Sequence, residues 1–67
     1  MIIIRVNEER VEIDELTNIT QLLQQINSTI DGIAIAINND IVPKSKWAIQ
    51  QFNNKDNVLI IKATQGG

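Results

Sequence analysis

Acidic side chains whose type and spacing could support chemistry form one group near the start of the chain: Glu8, Glu9, Glu12, Asp14 and Glu15. Two carboxylates can act as general acid and base or bind a divalent cation, but either role needs an enclosed site or a specific ligand geometry. Glu12 and Asp14 instead fall on the solvent side of a two-residue alternation. We therefore interpret the group as a solvated surface, and we predict neither a catalytic residue nor a metal ligand there.

Trp47 follows Lys44 and Lys46 closely, so it could stack on a nucleic-acid base between two cations. The whole chain, however, has a net charge of −2 and a pI of about 4.8. Nucleic-acid binders normally carry a basic stripe that neutralises phosphates, and the six Lys and Arg of this sequence are scattered. The sequence therefore predicts that Trp47 packs in the core and that nucleic acid is not a partner.

The chain lacks the residue types on which a self-contained enzyme would depend. Its 67 residues include no His and no Cys, so the commonest general base and a thiolate nucleophile are both missing. A chain this short buries only about 60% of its unfolded surface, which leaves room for one thin-cored domain. The longest apolar run, Ile33 to Ile37, is far shorter than the roughly 20 residues of a membrane span. We predict a protein that is not an enzyme, is cytoplasmic without membrane contact and is monomeric when free.

The last two residues, Gly66 and Gly67, offer a reactive group of a different kind. Two consecutive glycines end a chain by chance in only about 0.5% of cases, because glycine makes up about 7% of residues. An extended tail without side chains can thread a narrow channel in another enzyme. The α-carboxylate of Gly67 would then react once a partner has converted it to a mixed anhydride such as an adenylate. We expect Thr64, Gln65, Gly66 and Gly67 to form a flexible tail modified at Gly67, the alternative being an incidental flexible end.

Fourteen Ile and four Val, grouped in short runs, predict a chain that is mostly strand. Two alternating segments around a turn at residues 7–9 form a first hairpin. The spacing then changes to three and four at Ile19, Leu22, Leu23, Ile26 and Ile30. This period predicts one helix between Leu16 and Ile30, with a capping box at Asn18 and Gln21 and with Gly32 as its stop.

A second hairpin follows, with a turn at residues 38–40 and an end at Pro43. A short helical turn and an irregular crossover, Lys44 to Phe52, then lead to a last strand, Val58 to Ala63. This order predicts an α+β fold of the ubiquitin-like β-grasp type, a mixed sheet of four to five strands with one helix on one face. The first and last strands would lie parallel at its centre. We assign residues 1–63 to the domain and 64–67 to the tail.

Strand alternation also predicts a docking face. With Ile2, Ile4 and Val6 pointing at the helix, the opposite face of the sheet presents another set of side chains. This set consists of Ile3, Arg5, Leu59, Ile61 and Ala63. Exposed apolar patches usually mark interaction sites, so we predict that partners bind here. The alternative is that the crossover from Lys44 to Phe52 covers these positions.

The segment Ala36-Ile37-Asn38-Asn39-Asp40-Ile41-Val42-Pro43-Lys44-Ser45-Lys46-Trp47, together with the strand order and the terminal Gly66-Gly67, resembles the ThiS family of sulfur carriers. The resemblance covers essentially the whole chain. Two glycines alone would also fit the small subunit of molybdopterin synthase and ubiquitin-like modifiers, so the internal segment is the discriminating part. Lys44 stands where Arg is common in the family, which keeps the charge but loses the planar fork.

The resemblance implies a function in thiamine biosynthesis. A ThiF-type adenylyltransferase would use ATP to adenylate Gly67, and a sulfur donor linked to a cysteine desulfurase would then convert it to a thiocarboxylate. The thiocarboxylate would donate sulfur to thiazole synthase (ThiG), and the carrier itself would bind no cofactor. Two other interpretations stay open at this point. One is a molybdopterin-type carrier or protein modifier, and the other is a non-covalent β-grasp interaction module.

Overall fold

A computed structural model describes residues 1–62 of the chain, which form five strands, one α-helix and a short 3-10 helix. The elements in chain order are β1 (Ile2–Val6), β2 (Glu9–Ile13), α1 (Ile19–Gln25), β3 (Ile33–Ile37), β4 (Asp40–Val42), the 3-10 helix (Lys44–Lys46) and β5 (Asn57–Lys62). This order confirms the predicted ββαββ arrangement with a final strand.

The strands form one mixed sheet in the order β2-β1-β5-β3-β4. Strands β1 and β5 run parallel to each other, and every other neighbouring pair is antiparallel. The first and last strands therefore lie next to each other inside the sheet, as the sequence predicted. Strand β4 is an edge strand that stops one residue before Pro43, in keeping with the missing N–H of proline.

Both hairpins turn through two residues in the left-handed region. Asn7 and Glu8 have φ of 49° and 71°, and Asn38 and Asn39 have φ of 51° and 74°. Two-residue turns with positive φ match the right-handed twist of the flanking strands, and asparagine tolerates this conformation better than most residues. These turns set the register of each hairpin and therefore which side chains face the helix.

Helix α1 begins as predicted but ends earlier. The side chain of Asn18 accepts a hydrogen bond from the backbone N–H of Gln21, and the Gln21 side chain accepts one from the N–H of Asn18, which completes the capping box. The helix ends at Gln25, so the predicted stop at Gly32 and the extension to Ile30 are wrong.

The physical reason for the early end is Asn27, which adopts φ of 57° just after the helix. The N–H of Asn27 donates to the carbonyl of Gln24, and the N–H of Ser28 donates to the carbonyl of Leu23. These two bonds form a Schellman motif, which satisfies the last helical carbonyls and turns the chain away. The apolar spacing of the sequence continues beyond this point, whereas the helical conformation of the backbone does not.

The core lies between the sheet and the helix. Its buried members are Ile4, Val6, Ile13, Ile19, Leu22, Leu23, Ile35, Trp47, Phe52 and Val58. Trp47 is buried and its indole N–H donates to the carbonyl of Val42 at 3.0 Å, which confirms the prediction of a core tryptophan. Within residues 1–62, no helix has the length and apolar character needed to cross a membrane.

Candidate functional site

The predicted tail follows β5, the central strand of the sheet. Strand β5 has β1 on one side and β3 on the other, and its last residue, Lys62, is paired with Ile33. The predicted site residues Ala63, Thr64, Gln65, Gly66 and Gly67 lie outside the described residues. Their roles therefore stay predictions, and the structure describes the base from which they begin.

Asn7 supports the second half of β5, where β1 has already turned away. The backbone N–H of Ile60 donates to Oδ1 of Asn7 at 2.8 Å, and Nδ2 of Asn7 donates to the carbonyl of Ile60 at 3.4 Å. The N–H of Asn7 also donates to the carbonyl of Val58. One amide side chain thus takes the place of a neighbouring strand beside the last residues before the tail. Sequence reasoning assigned Asn7 to a turn and missed this second function.

The sheet surface that points away from the helix is called the open face here. Its side chains come from all five strands: Ile3, Arg5, Arg10, Glu12, Ala34, Ala36, Ile41, Asn57, Leu59 and Ile61. Leu59, Ala36 and Ile41 form one row across three strands, because Ala36 is paired with both of the others. Ile61 and Ala34 form the next row, towards the end of β5. The small side chains of Ala34 and Ala36 lie in β3, between β5 and β4, and make this part of the face flat.

The large apolar residues of these rows are accessible to solvent. Leu59 is 48% exposed, Ile61 42% and Ile41 63%, while Ala36 is covered by its row neighbours. Of the predicted docking residues, Ile3 and Arg5 are exposed as well, although they lie at the other end of the face. The structure therefore adds Ile41 to the predicted set. The two-residue turn at residues 38–39 places it opposite Ala36, a register that the sequence did not predict.

The crossover segment does not cover the open face. Trp47 packs into the core on the helix side, and its carbonyl accepts a hydrogen bond from the N–H of Ile19 at the start of the helix. The amide side chain of Asn18 donates to the carbonyl of Ala48, so the cap residue and the first residue of the helix are both hydrogen-bonded to this segment. Lys44 lies 5.8 Å from the Trp47 ring centre and 3.4 Å from Asp31, which places its charge away from the sheet surface.

The acidic group near the start of the chain is solvated. Glu8, Glu9, Glu12, Asp14 and Glu15 are all exposed. No group of three or more potential metal ligands comes together among residues 1–62. In this part of the chain, the feature that stands out as a candidate site is an apolar sheet surface leading to the base of the tail.

Comparison with known proteins shows the family of this chain. The family model for ThiS matches residues 3–67, which is nearly the whole chain. The chain belongs to the ThiS family. The sulfur carrier protein ThiS of Escherichia coli (strain K12) is 30% identical over 61 residues, which cover 91% of this chain and 92% of the relative.

A solved structure supports the ThiS fold. The crystal structure of the thiamine biosynthesis protein ThiS from Geobacter metallireducens superposes with a TM-score of 0.83 and 19% identity, over 98% of this chain and all of that one. The match confirms the predicted β-grasp fold. Together, these relatives confirm the family that the sequence resembled. They also support a sulfur carrier in thiamine biosynthesis, as predicted, in place of an autonomous enzyme.

Proposed function

We propose that this ThiS-family protein is a sulfur carrier whose reactive group is the α-carboxylate of Gly67. A ThiF-type adenylyltransferase activates that carboxylate with ATP, a sulfur donor converts it to a thiocarboxylate, and thiazole synthase (ThiG) takes the sulfur for the thiazole of thiamine. The observation that supports the proposal most directly is the family match, which extends through residue 67. The carrier binds no cofactor of its own and uses the ATP bound by its partner.

The chemistry is a substitution at the carboxyl carbon of Gly67. A carboxylate oxygen attacks the α-phosphorus of ATP, the bond to pyrophosphate breaks, and an acyl-adenylate forms. Sulfide from the donor then attacks the acyl carbon, and AMP leaves with its electron pair to give the thiocarboxylate. A donor persulfide, such as one formed by a cysteine desulfurase, gives an acyl disulfide instead, and a thiol reductant then cleaves its S–S bond with two electrons to release the thiocarboxylate. The chain contains no His and no Cys, and in this proposal the partners supply the acid, the base and the thiols.

The open face supports the proposal because it offers a docking surface beside the tail. Its exposed rows of Leu59, Ile61 and Ile41 are the kind of apolar patch that marks interaction sites. Five residues follow Lys62, and an extended chain of five residues reaches at most about 17 Å. A partner that binds the open face should therefore hold its reaction centre within that distance of the end of β5.

The test is to incubate the purified protein with its adenylating enzyme, ATP and a sulfide source, and then to measure the intact mass. We expect a mass gain equal to one oxygen-for-sulfur exchange, confined to the terminal peptide. A variant lacking Gly67 is the control and should release no pyrophosphate. An unchanged mass, with full adenylation of the truncated variant, would contradict the proposal. The same measurement verifies that Gly67 is the terminal residue.

The remaining interpretations predict different outcomes, each with its own measurement. A protein modifier would yield isopeptide-linked products of higher mass on a denaturing gel. A molybdopterin-type carrier would form the thiocarboxylate but would fail to support thiazole formation by thiazole synthase. A non-covalent interaction module would bind its partners equally well with and without Gly67.

A further inference from the structure

The apolar rows occupy one end of the open face, and charged residues lie at the other end. Arg5, Arg10 and Lys55 surround a groove of about 340 Å³ whose other lining residues are Ile3, Ile4 and Asn54. This site is called the cationic groove below. It lies where β1 and β2 meet the loop before β5, on the opposite side of the sheet from the helix.

The positions of the arginines in this groove lower the stability of the sheet. Arg5 and Arg10 are directly paired across two antiparallel strands, and like charges in that position destabilise a sheet. Two ion pairs form among residues 1–62, between the amino terminus and Glu15 and between Lys44 and Asp31. Within this part of the chain, no carboxylate therefore lies within ion-pair distance of either arginine.

Lys55 adds a second local cost at the same groove. Its φ is 72°, a left-handed conformation that a lysine rarely adopts and that glycine or asparagine would adopt more easily. Departures from local preference that the surrounding structure holds in place cluster at functional sites. Two such departures meet at one groove here.

Hydrogen bonds hold the groove in shape. The N–H of Ile3 donates to Oδ1 of Asn54 at 2.9 Å, and the N–H of Lys55 donates to the carbonyl of Ile3 at 2.7 Å. The N–H of Arg5 donates to the carbonyl of Asp56 at 2.9 Å. Because the loop is fixed to β1 through the backbone, an incoming ligand would not have to order it, which favours binding.

The lining of the groove indicates what kind of group it fits. Ile3 is 41% exposed and provides an apolar contact, while the three cations stand around it. Glu12 is paired with Ile3 on the same face, so one carboxylate borders the site, and the cations outnumber it. A free inorganic anion would gain nothing from the apolar contact. An acidic peptide segment with an apolar side chain uses both.

We propose that the cationic groove receives an acidic segment of the adenylating partner, with an apolar side chain of that segment packed on Ile3. The inference rests on the proposed function for the choice of partner. The groove continues into the apolar rows through Asn57, which is paired with Arg5 and precedes Leu59 on the same face of β5. In a chain of net charge −2, a local positive site orients an acidic partner so that the apolar rows and the tail meet it correctly.

The main test uses Arg10→Glu, which replaces the repulsive pair with an attractive one. We expect its melting temperature to equal or exceed that of the unmodified protein, because the cross-strand repulsion is removed. Its association rate with the adenylating enzyme should fall about tenfold at roughly 20 mM salt, and the difference should shrink at high salt. Lys44→Glu makes the same change in net charge away from the open face, beside Asp31, and its rate should stay within about twofold of the unmodified protein. Equal rates for the two variants would overturn the proposal.

A second measurement does not depend on the enzyme. The ¹⁵N-labelled protein is titrated with the synthetic peptide Glu-Asp-Leu-Asp-Glu, and the amide signals of Ile3, Asn54 and Lys55 are followed. We expect saturable shifts that Arg10→Glu abolishes. Absence of such shifts, or equally strong binding of inorganic phosphate at the same amides, would overturn the acidic-segment proposal. Failure of the proposed function would appear separately, as an unmodified protein that the enzyme does not adenylate.

Discussion

The two faces of the sheet are built from the same strands, but one is buried and the other is exposed to solvent. On the helix side, Ile4, Ile35 and Val58 are completely buried. On the open face, Leu59 and Ile61, the neighbours of Ile60 in the same strand, are exposed over two fifths or more of their surface. Folding needs one apolar face, and an antiparallel or mixed sheet can present a polar face to water on the other side. The exposed apolar residues of the open face therefore lie outside the core, in agreement with the proposal that partners bind there.

The first prediction compares leucines on the two faces. Leu22→Ala, in the helix, removes a completely buried side chain and should lower the free energy of unfolding by about 2–5 kcal/mol. Leu59→Ala makes the same change on the open face and should cost less than about 1 kcal/mol. Urea denaturation of both variants measures the difference. Equal losses would mean that the open face contributes to the core, and the comparison between the faces would fail.

The second prediction concerns Asp56, which fixes the loop between the crossover and β5. Its carboxylate is buried and accepts from Nδ2 of Asn38 at 2.9 Å and from the N–H of Asn53 at 2.7 Å. Asp56→Ala leaves both donors without this partner and should cost about 1–3 kcal/mol of unfolding free energy. Asp40→Ala, at an exposed position in the edge strand, is the control and should change stability by less than about 0.5 kcal/mol. Similar losses in the two variants would contradict the structural assignment.

The third prediction separates binding from folding on the open face. Ile61→Asp introduces a charge beside the base of the tail and should weaken binding to the adenylating enzyme about tenfold or more, because a desolvated carboxylate would replace an apolar contact. Its unfolding free energy should change by less than about 1 kcal/mol. Ile49→Asp is the matched control, since Ile49 is 72% exposed outside the open face. Unchanged affinity of Ile61→Asp for both the adenylating enzyme and thiazole synthase would rule out this docking surface.

The smallest effect is expected in the turn of the first hairpin, which sets the register of both faces. Glu8 has φ of 71°, so Glu8→Gly should stabilise the protein by about 0.5–1 kcal/mol through relief of the left-handed conformation. Glu9→Gly, one residue later in a regular strand, should instead destabilise it by a similar amount, about 0.5–1 kcal/mol. Thermal unfolding distinguishes the two, and a loss of stability in Glu8→Gly would contradict the turn assignment.

Much of the fold was predictable because the strands have a clear two-residue period. The alternation of Ile2, Ile4 and Val6 predicted the buried face of β1, and the structure confirms it. The end of the helix was not predictable in the same way. The apolar spacing continued to Ile30, and the left-handed conformation of Asn27 ended the helix at Gln25. Hydrophobic periodicity reports which residues a helix would bury, whereas a helix ends where backbone groups find other partners.

The candidate site was predictable in part. Alternation alone placed Ile3, Arg5, Leu59 and Ile61 on one face. It did not show that Ile41 joins them, or that Arg5 faces Arg10 across the hairpin, since both depend on which strands are neighbours. The second function of Asn7 depends on a contact 53 residues away along the chain. No local pattern in the sequence reports such a contact.

By itself, the sequence determined the chemistry that is available to this protein. The sequence contains no His and no Cys, and its glycines at positions 66 and 67 are the basis of the proposal that the carboxylate of Gly67 is the reactive group. The sequence also predicted that β1 and β5 lie side by side, but only the tertiary structure decided the register of that pair. That pairing brings Arg5 next to Asn57 and joins the cationic groove to the apolar rows. The physical reason is that side-chain type is a property of each residue, while the neighbours of a strand are set by the burial of the whole sheet against the helix.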